Sequence, residues 1–245
     1  MSNILKSSYC EDEDEDLREI GVDEAGRGPM LGRVYAGAVI LPKEMTKFNH
    51  ALMKDSKKFT SEKKIKEVAA YIKTHSIAWA VAYADEREIE RINIRNATHQ
   101  AMHAAIKETL ALTAQAQATA GTQAQATAGT QAQATAGTQA QTLLLIDGND
   151  FTPFILEGTT ISHICIEGGD NTFSAIAAAS ILAKVARDEY ITELCAIHPI
   201  LDEHYGLLKN KGYGTKKHMD GIKAHGITSF HRKSFGICRD YAYTQ

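Results

Sequence analysis

Four acidic side chains are the most chemically informative residues of the 245-residue sequence. Asp23 and Glu24 stand side by side where the apolar run Ile20-Gly21-Val22 stops, and Ala25-Gly26-Arg27-Gly28 follows at once. Asp147 ends the run LLLID at 143–147, and Asp170 lies just past ISHICI at 161–166. Carboxylates gathered without a local excess of Lys or Arg repel one another unless they are protonated or hold a cation. Oxygen-only donors favour Mg2+ or Mn2+ over zinc. Two such ions roughly 4 Å apart suit in-line attack of water on a phosphodiester. A single Asp at a strand end also forms turns or caps helices, and Asp147 before Gly148-Asn149 fits a turn by itself. The recurrence at four comparable places favours one shared site.

Successive residues of an extended strand face opposite sides, so Asp23 and Glu24 are expected to serve one site only if the strand breaks at Ala25-Gly26-Arg27-Gly28. Gly26 and Gly28 leave backbone amides open to a closely approaching partner, and Arg27 adds charge. The dinucleotide fingerprint G-x-G-x-x-G is not completed, because position 31 is Leu and Gly32 comes one place late. Backbone groups in such a turn can hydrogen-bond a sugar hydroxyl, and sensing a 2′-hydroxyl is what separates RNA from DNA.

Strand ends that gather ligands imply an open α/β sheet. Strands are expected at 19–24, 34–41, 76–83, 143–147 and 161–166, and helices at 61–74, 96–112 and 174–196. The order is that of a mixed sheet covered by helices. The last helix opens with a small-sided face, Ala175, Ala177, Ala178, Ala179, Ser180 and Ala183, which would let it lie close on the sheet. QAQATAGT occurs three times in tandem at 115–138, with no charge and no large apolar side chain, and Gly121, Gly129 and Gly137 interrupt it. The region 113–142 therefore reads as an inserted flexible loop without catalytic duty. Residues 1–16 read as a disordered acidic lead-in, and 199–245 as a basic, Gly- and His-rich extension with short helical pieces.

Whole-chain charge is close to balance, at −3. Its ends differ: residues 206–245 carry eight bases against Asp220 and Asp240, which suggests a local anion-binding face or simply a solvated surface. Cys10, Cys165, Cys195 and Cys238 are far apart without a C-x-x-C pairing, so neither a zinc site nor a disulfide framework is expected. No apolar run reaches membrane-spanning length and no signal core precedes EDEDED. A soluble, cytoplasmic monomer is the expectation.

Six blocks then point to a known family. DEAGRGP at 23–29, DSKK at 55–58, LIDGN at 145–149, GGD with AAASILAKVARD at 168–188, KGYGT with His218 at 211–218, and HRKSF at 231–235 together resemble the type 2 ribonucleases H, ribonuclease HII. The resemblance covers roughly 17–238 apart from the repeats. It implies an RNase H-like fold, with a catalytic domain over 17–198 and a helical C-terminal extension over 199–245. It also implies a Mg2+- or Mn2+-dependent endonuclease that cuts the RNA strand of RNA–DNA hybrids. Such enzymes cut 5′ of single ribonucleotides in duplex DNA, leave 3′-hydroxyl and 5′-phosphate ends, and act in ribonucleotide excision repair.

By position, Asp23, Glu24, Asp147 and Asp170 match the metal-binding carboxylates, and Gly26-Arg27-Gly28 the reader of the 2′-hydroxyl. Tyr213 matches the aromatic that stacks on the deoxynucleotide sugar beyond the ribonucleotide. Lys57, Lys184, Lys211 and Arg232 are expected as phosphate contacts, with Lys184 also able to pair with Asp188. Ser56 and Ser180 fit the hydrogen-bonding shell of the acids, His231 reads as structural or phosphate-facing, and Trp79 as core. One departure is Gly168 where bacterial members often carry Lys, which puts a nearby phosphate contact in doubt. Two other classes remain open on the residues alone: a module that holds hybrids without cutting, and another two-metal nuclease or phosphatase.

Overall fold

A computed structural model describes residues 4–10, 17–127 and 141–243. Five strands form one mixed sheet: β1 (Arg18–Ala25), β2 (Val34–Ile40), β3 (Ala78–Ala84), β4 (Thr142–Asp147) and β7 (Ser162–Ile166), in the order β3-β2-β1-β4-β7. β2 runs antiparallel to both neighbours, whereas β1, β4 and β7 are parallel. The C-terminal ends of these three strands, and with them Asp23, Glu24 and Asp147, therefore share one rim. A two-stranded ribbon, β5 (Ile155–Leu156) with β6 (Thr159–Thr160), precedes β7 and was not expected from the sequence.

Each face of the sheet is covered. α2 (Glu86–Thr127) lays Ala101, Met102, Ala105 and Ile106 on Ile20, Val22, Ala36, Ala38, Leu144 and Ile146. On the other face α3 (Ser174–Ile197) and α1 (Glu62–His75) pack through Ala177, Ala178, Ile181, Ile65, Val68 and Ile72 against Val39 and neighbouring side chains. The small residues of α3 meet glycines of the sheet. A Cβ at Gly37 would lie 2.5 Å from the Ala179 carbonyl oxygen, and one at Gly21 would enter the Ala175 backbone. That close approach fixes the height of α3 above β1, and with it the positions of Ser180, Lys184 and Arg187.

Three readings change. α2 starts ten residues earlier than expected and is broken at Asn93 (φ 67°, ψ 164°), whose Oδ1 accepts the Asn96 N–H at 3.1 Å as an N-cap. α2 also continues through Gly121 to Thr127, so the start of the repeat region is helical rather than a loop: Ala and Gln favour helix enough to carry one glycine. The rest of the repeats, beyond 127, lies outside the described residues. The acidic lead-in is not all loose chain. Lys6 bridges to Phe173, Tyr9 packs on the Phe173 ring, and the buried Glu19 carboxylate accepts from Ser8 Oγ (2.8 Å), Tyr9 N (2.9 Å) and Cys10 N (3.1 Å). The run Glu11–Asp16 lies outside the described residues.

The remainder of the chain forms α4 (Ile200–Tyr205), α5 (Leu207–Asn210), α6 (Lys216–His225) and a final 3-10 turn. They share a core of Leu201, Tyr205, Leu207, Ile222, Ile227 and Cys238 with Met30 and Leu31, so the extension packs directly on the loop that follows β1.

Candidate active site

β1 does not break at the Asp23–Glu24 pair. It stays paired with β2 through Ala25, opposite Tyr35. The two carboxylates therefore leave different faces of the strand, and what unites them is the rim itself. Asp147, at the end of neighbouring β4, stands close enough for its charge to act on both. Asp23 is buried on the α3 side, where Ser180 donates to it and Ser180 Oγ lies 3.0 Å from Ser56 Oγ. Burial, then the charges of Glu24 and Asp147, raise its carboxyl well above the usual range. Glu24 is raised by burial and Asp147 against the opposing pull of Arg27, 3.5 Å away.

Asp170 sits in a 3-10 turn, Gly169–Asn171, between β7 and α3. Its backbone N–H donates to Asp147 Oδ1 at 3.3 Å, and its own Oδ1 accepts from Asn171 Nδ2 at 2.8 Å. Burial, with Asp147 and Asp55, raises its carboxyl too. Gly168 precedes the turn in the left-handed region (φ 66°), with open space where a side chain would project. The four acids thus share one end of the sheet, and Lys57 faces them. Burial works against the Lys57 charge, but Asp55, Asp170, Asp23 and Asp147 outweigh it and raise its pKa.

Among the described residues no three His, Cys, Asp or Glu side chains are already closed into a ligand set. Asp23, Glu24 and Asp170 each lean on a local donor: the Glu24 amide at 2.7 Å, Arg27, and Asn171. The donor set is nevertheless all oxygen, crowded and largely buried, which suits a hard divalent cation more than any other ligand.

Beside the acids, Gly26 takes φ 99°, and a Cβ there would press on Arg187 Cδ at 2.5 Å. Tyr213, half exposed, lies next to Gly28: a Cβ on that glycine would be 3.6 Å from the ring. The two loops are tied by Met30 N–H donating to the Gly212 carbonyl at 2.9 Å. The turn and the aromatic therefore form one continuous surface.

The family model described as Ribonuclease HII matches residues 20–238. The chain belongs to the ribonuclease HII family. A curated ribonuclease HII from Parabacteroides distasonis is 40% identical over 219 residues, covering 89% of this chain and 90% of that protein. The solved ribonuclease H2 of Pyrococcus horikoshii OT3 shares the fold with a TM-score of 0.64 at 18% identity, over 91% of this chain and 96% of that one. Bst-RNase HIII in complex with Mn2+ does so with a TM-score of 0.52 at 19% identity, over 85% and 70%. Like other ribonucleases HII, this chain is an endoribonuclease with ribonuclease H activity on RNA–DNA hybrids.

Not every residue matched to the ribonuclease HII pattern is placed to touch substrate. Arg232 is fully buried and donates to the carbonyls of Gly26 (2.7 Å), Arg27 (3.0 Å), Pro29 (2.9 Å) and Gly32 (2.8 Å), so it is not a phosphate contact. Lys184 is paired with Asp188, the alternative noted for it. Lys211 extends to Thr192 Oγ1 at 3.4 Å and its carbonyl accepts from Arg187 at 2.8 Å. His231 is buried against His218, which makes it structural. Trp79 is half-buried on β3 and donates from Nε1 to the Lys73 carbonyl at 3.1 Å. Arg187 is the residue that motif reading passed over. It follows Ala183 by four on the small-sided stripe of α3, and an arginine on a buried stripe is itself a signal that a polar structure is held beneath it.

Proposed function

We propose that Asp23, Glu24, Asp147 and Asp170 hold divalent cations, Mg2+ or Mn2+, and that the chain cuts duplex DNA 5′ of an embedded ribonucleotide. The ends left are a 3′-hydroxyl and a 5′-phosphate. The observation that carries this reading is the adjacency on one rim of the acid cluster, the Gly26-Arg27-Gly28 turn and Tyr213. A second support is the Mn2+ held by Bst-RNase HIII, a protein of the same fold. When bound, such cations supply an activated water and neutralise charge on the scissile phosphate. The chain's own part is positional. Ser180 and Ser56 orient Asp23, the Asp170 amide orients Asp147, and the turn presents backbone donors to the ribose. Tyr213 offers a face to the next sugar, and Lys57 offers charge near the phosphate. We assign the protein to ribonucleotide repair in the cytoplasm as a monomer.

A duplex carrying one ribonucleotide, incubated with Mg2+ or Mn2+, tests this. Cutting 5′ of that ribonucleotide is expected; equal cutting of all-DNA duplex refutes it. Asp147→Asn should abolish cutting while hybrid binding persists, measured by anisotropy at fixed salt. Lost binding in a folded variant would count against the cation assignment.

A further inference from the structure

Arg232 is an unusual way to use a guanidinium. It is fully buried, it lies more than 190 residues from the turn in sequence, and its donors converge on four carbonyls of a single loop: Gly26, Arg27, Pro29 and Gly32. No cis peptide occurs among the described residues. In a trans peptide the C=O of one residue and the N–H of the next point in opposite directions. Drawing the Gly26 and Arg27 carbonyls inward therefore turns the N–H groups of Arg27 and Gly28 outward, at the two exposed residues of the turn. The same rule turns the Met30 N–H outward, but Gly212 takes it at 2.9 Å, and Pro29 has none. Arg187 supports the loop from below, against Gly26 and through the Leu31 carbonyl at 3.4 Å.

We propose that Arg232 is a positioning residue for sugar discrimination: by holding four carbonyls inward it aims the Arg27 and Gly28 amides at the ribose 2′-oxygen. This rests on the reading that the turn faces the ribose. Lysine cannot replace it. An ammonium keeps the charge but is a point, whereas the planar fork matches acceptors spread around its edge.

The test pairs a protein change with a substrate change. Cleavage is measured on a duplex with one ribonucleotide and on the same duplex with 2′-fluoro at that sugar, for the wild type and Arg232→Lys, with folding checked by urea titration. Loss of a hydrogen bond to the 2′-oxygen should slow the wild type about tenfold on the fluoro substrate. In Arg232→Lys that ratio should shrink to about twofold, because misaimed amides have little left to lose. A purely structural role would slow both substrates equally, and an unchanged ratio overturns the proposal. A wild type indifferent to 2′-fluoro overturns the underlying reading of the turn instead. Should the variant not fold, amide hydrogen exchange on the wild-type protein decides: fast exchange at Arg27 and Gly28 supports outward amides, and slow exchange there refutes them.

Discussion

The half-exposed Tyr213 is held from behind by two buried histidines, and acid should release it. The Thr228 N–H and hydroxyl both sit 3.0 Å from His231 Nδ1, which must therefore accept. Neutral His231 then carries its proton on Nε2 and donates to His218 Nε2 at 3.2 Å. His218 in turn donates from Nδ1 to the Tyr213 carbonyl at 3.0 Å. The relay works only with both rings neutral. Burial, then the neighbouring His218, pushes His231 down to about 3 from an ordinary 6.5, and burial lowers His218 as well. A folded pKa below the unfolded one means stability is complete above pH 6.5 and is lost as pH falls toward 3. For His231 alone the loss is about 2 kcal/mol at pH 5 and about 4 kcal/mol at pH 3. At pH 5 that corresponds to a melting temperature lower by about 4–8 °C. Asp23, Glu24 and Asp170 have raised pKa values and act in the opposite sense, adding stability as pH falls. The assay is therefore a difference: urea unfolding of the wild type and of His231→Gln at pH 7 and pH 5. The wild type should lose more than the variant by roughly the 2 kcal/mol above, since glutamine can accept from Thr228 without titrating. Equal pH slopes in the two proteins would refute the relay.

Three further outcomes are expected. Gly37→Ala should destabilise the fold by about 2–3 kcal/mol in urea titration, because its Cβ would sit 2.5 Å from the Ala179 carbonyl oxygen and neither backbone can yield. Gly168→Lys should lower stability by about 1 kcal/mol, the price of a side chain at φ 66°, yet steepen the salt dependence of hybrid binding by about one unit, since the new side chain has open space beside the acids. Glu19→Gln should free residues 4–10 to limited proteolysis and cost about 1–3 kcal/mol, because a buried carboxylate taking three donors becomes an amide with one acceptor oxygen.

How much of this was legible in the sequence depends on the range of the interaction. The strands and the long α3 could be read from apolar runs and small residues, since these patterns repeat locally. Asp23, Glu24 and Asp147 could be read because they lie at strand ends, and parallel strands bring such ends to one rim; Asp170 stands in the turn just past β7. Ser56 and Ser180 were expected near the acids and do meet there. The ordering of residues 4–10 was not legible, because its cause is a carboxylate at 19 and a backbone bridge to 173. Nor was the fate of Arg232, which turns on a loop some 200 residues away. Asp23 and Glu24 came together for a reason other than the one expected: no break in β1 was needed once Asp147 stood beside both.

The basic C-terminal segment shows why counting charges misleads. Its net of +6 over residues 206–245 invites an anion-binding face. Most of those bases are engaged within the protein. Arg232 clamps the turn, Lys216 pairs with Asp220 at 2.5 Å, and Lys217 donates to the Glu203 carbonyl at 2.9 Å. Lys233 gathers the carbonyls of Cys238, Arg239 and Tyr241, and Arg239 donates to the Ser234 carbonyl at 2.5 Å. A segment of short helices and turns has many carbonyls without a ladder partner, and cationic side chains satisfy them. The positive charge is thus first a consequence of irregular backbone. What it delivers to the active site is geometry: the extension that these cations hold together carries Tyr213 and Arg232, and both meet the turn beside the acids.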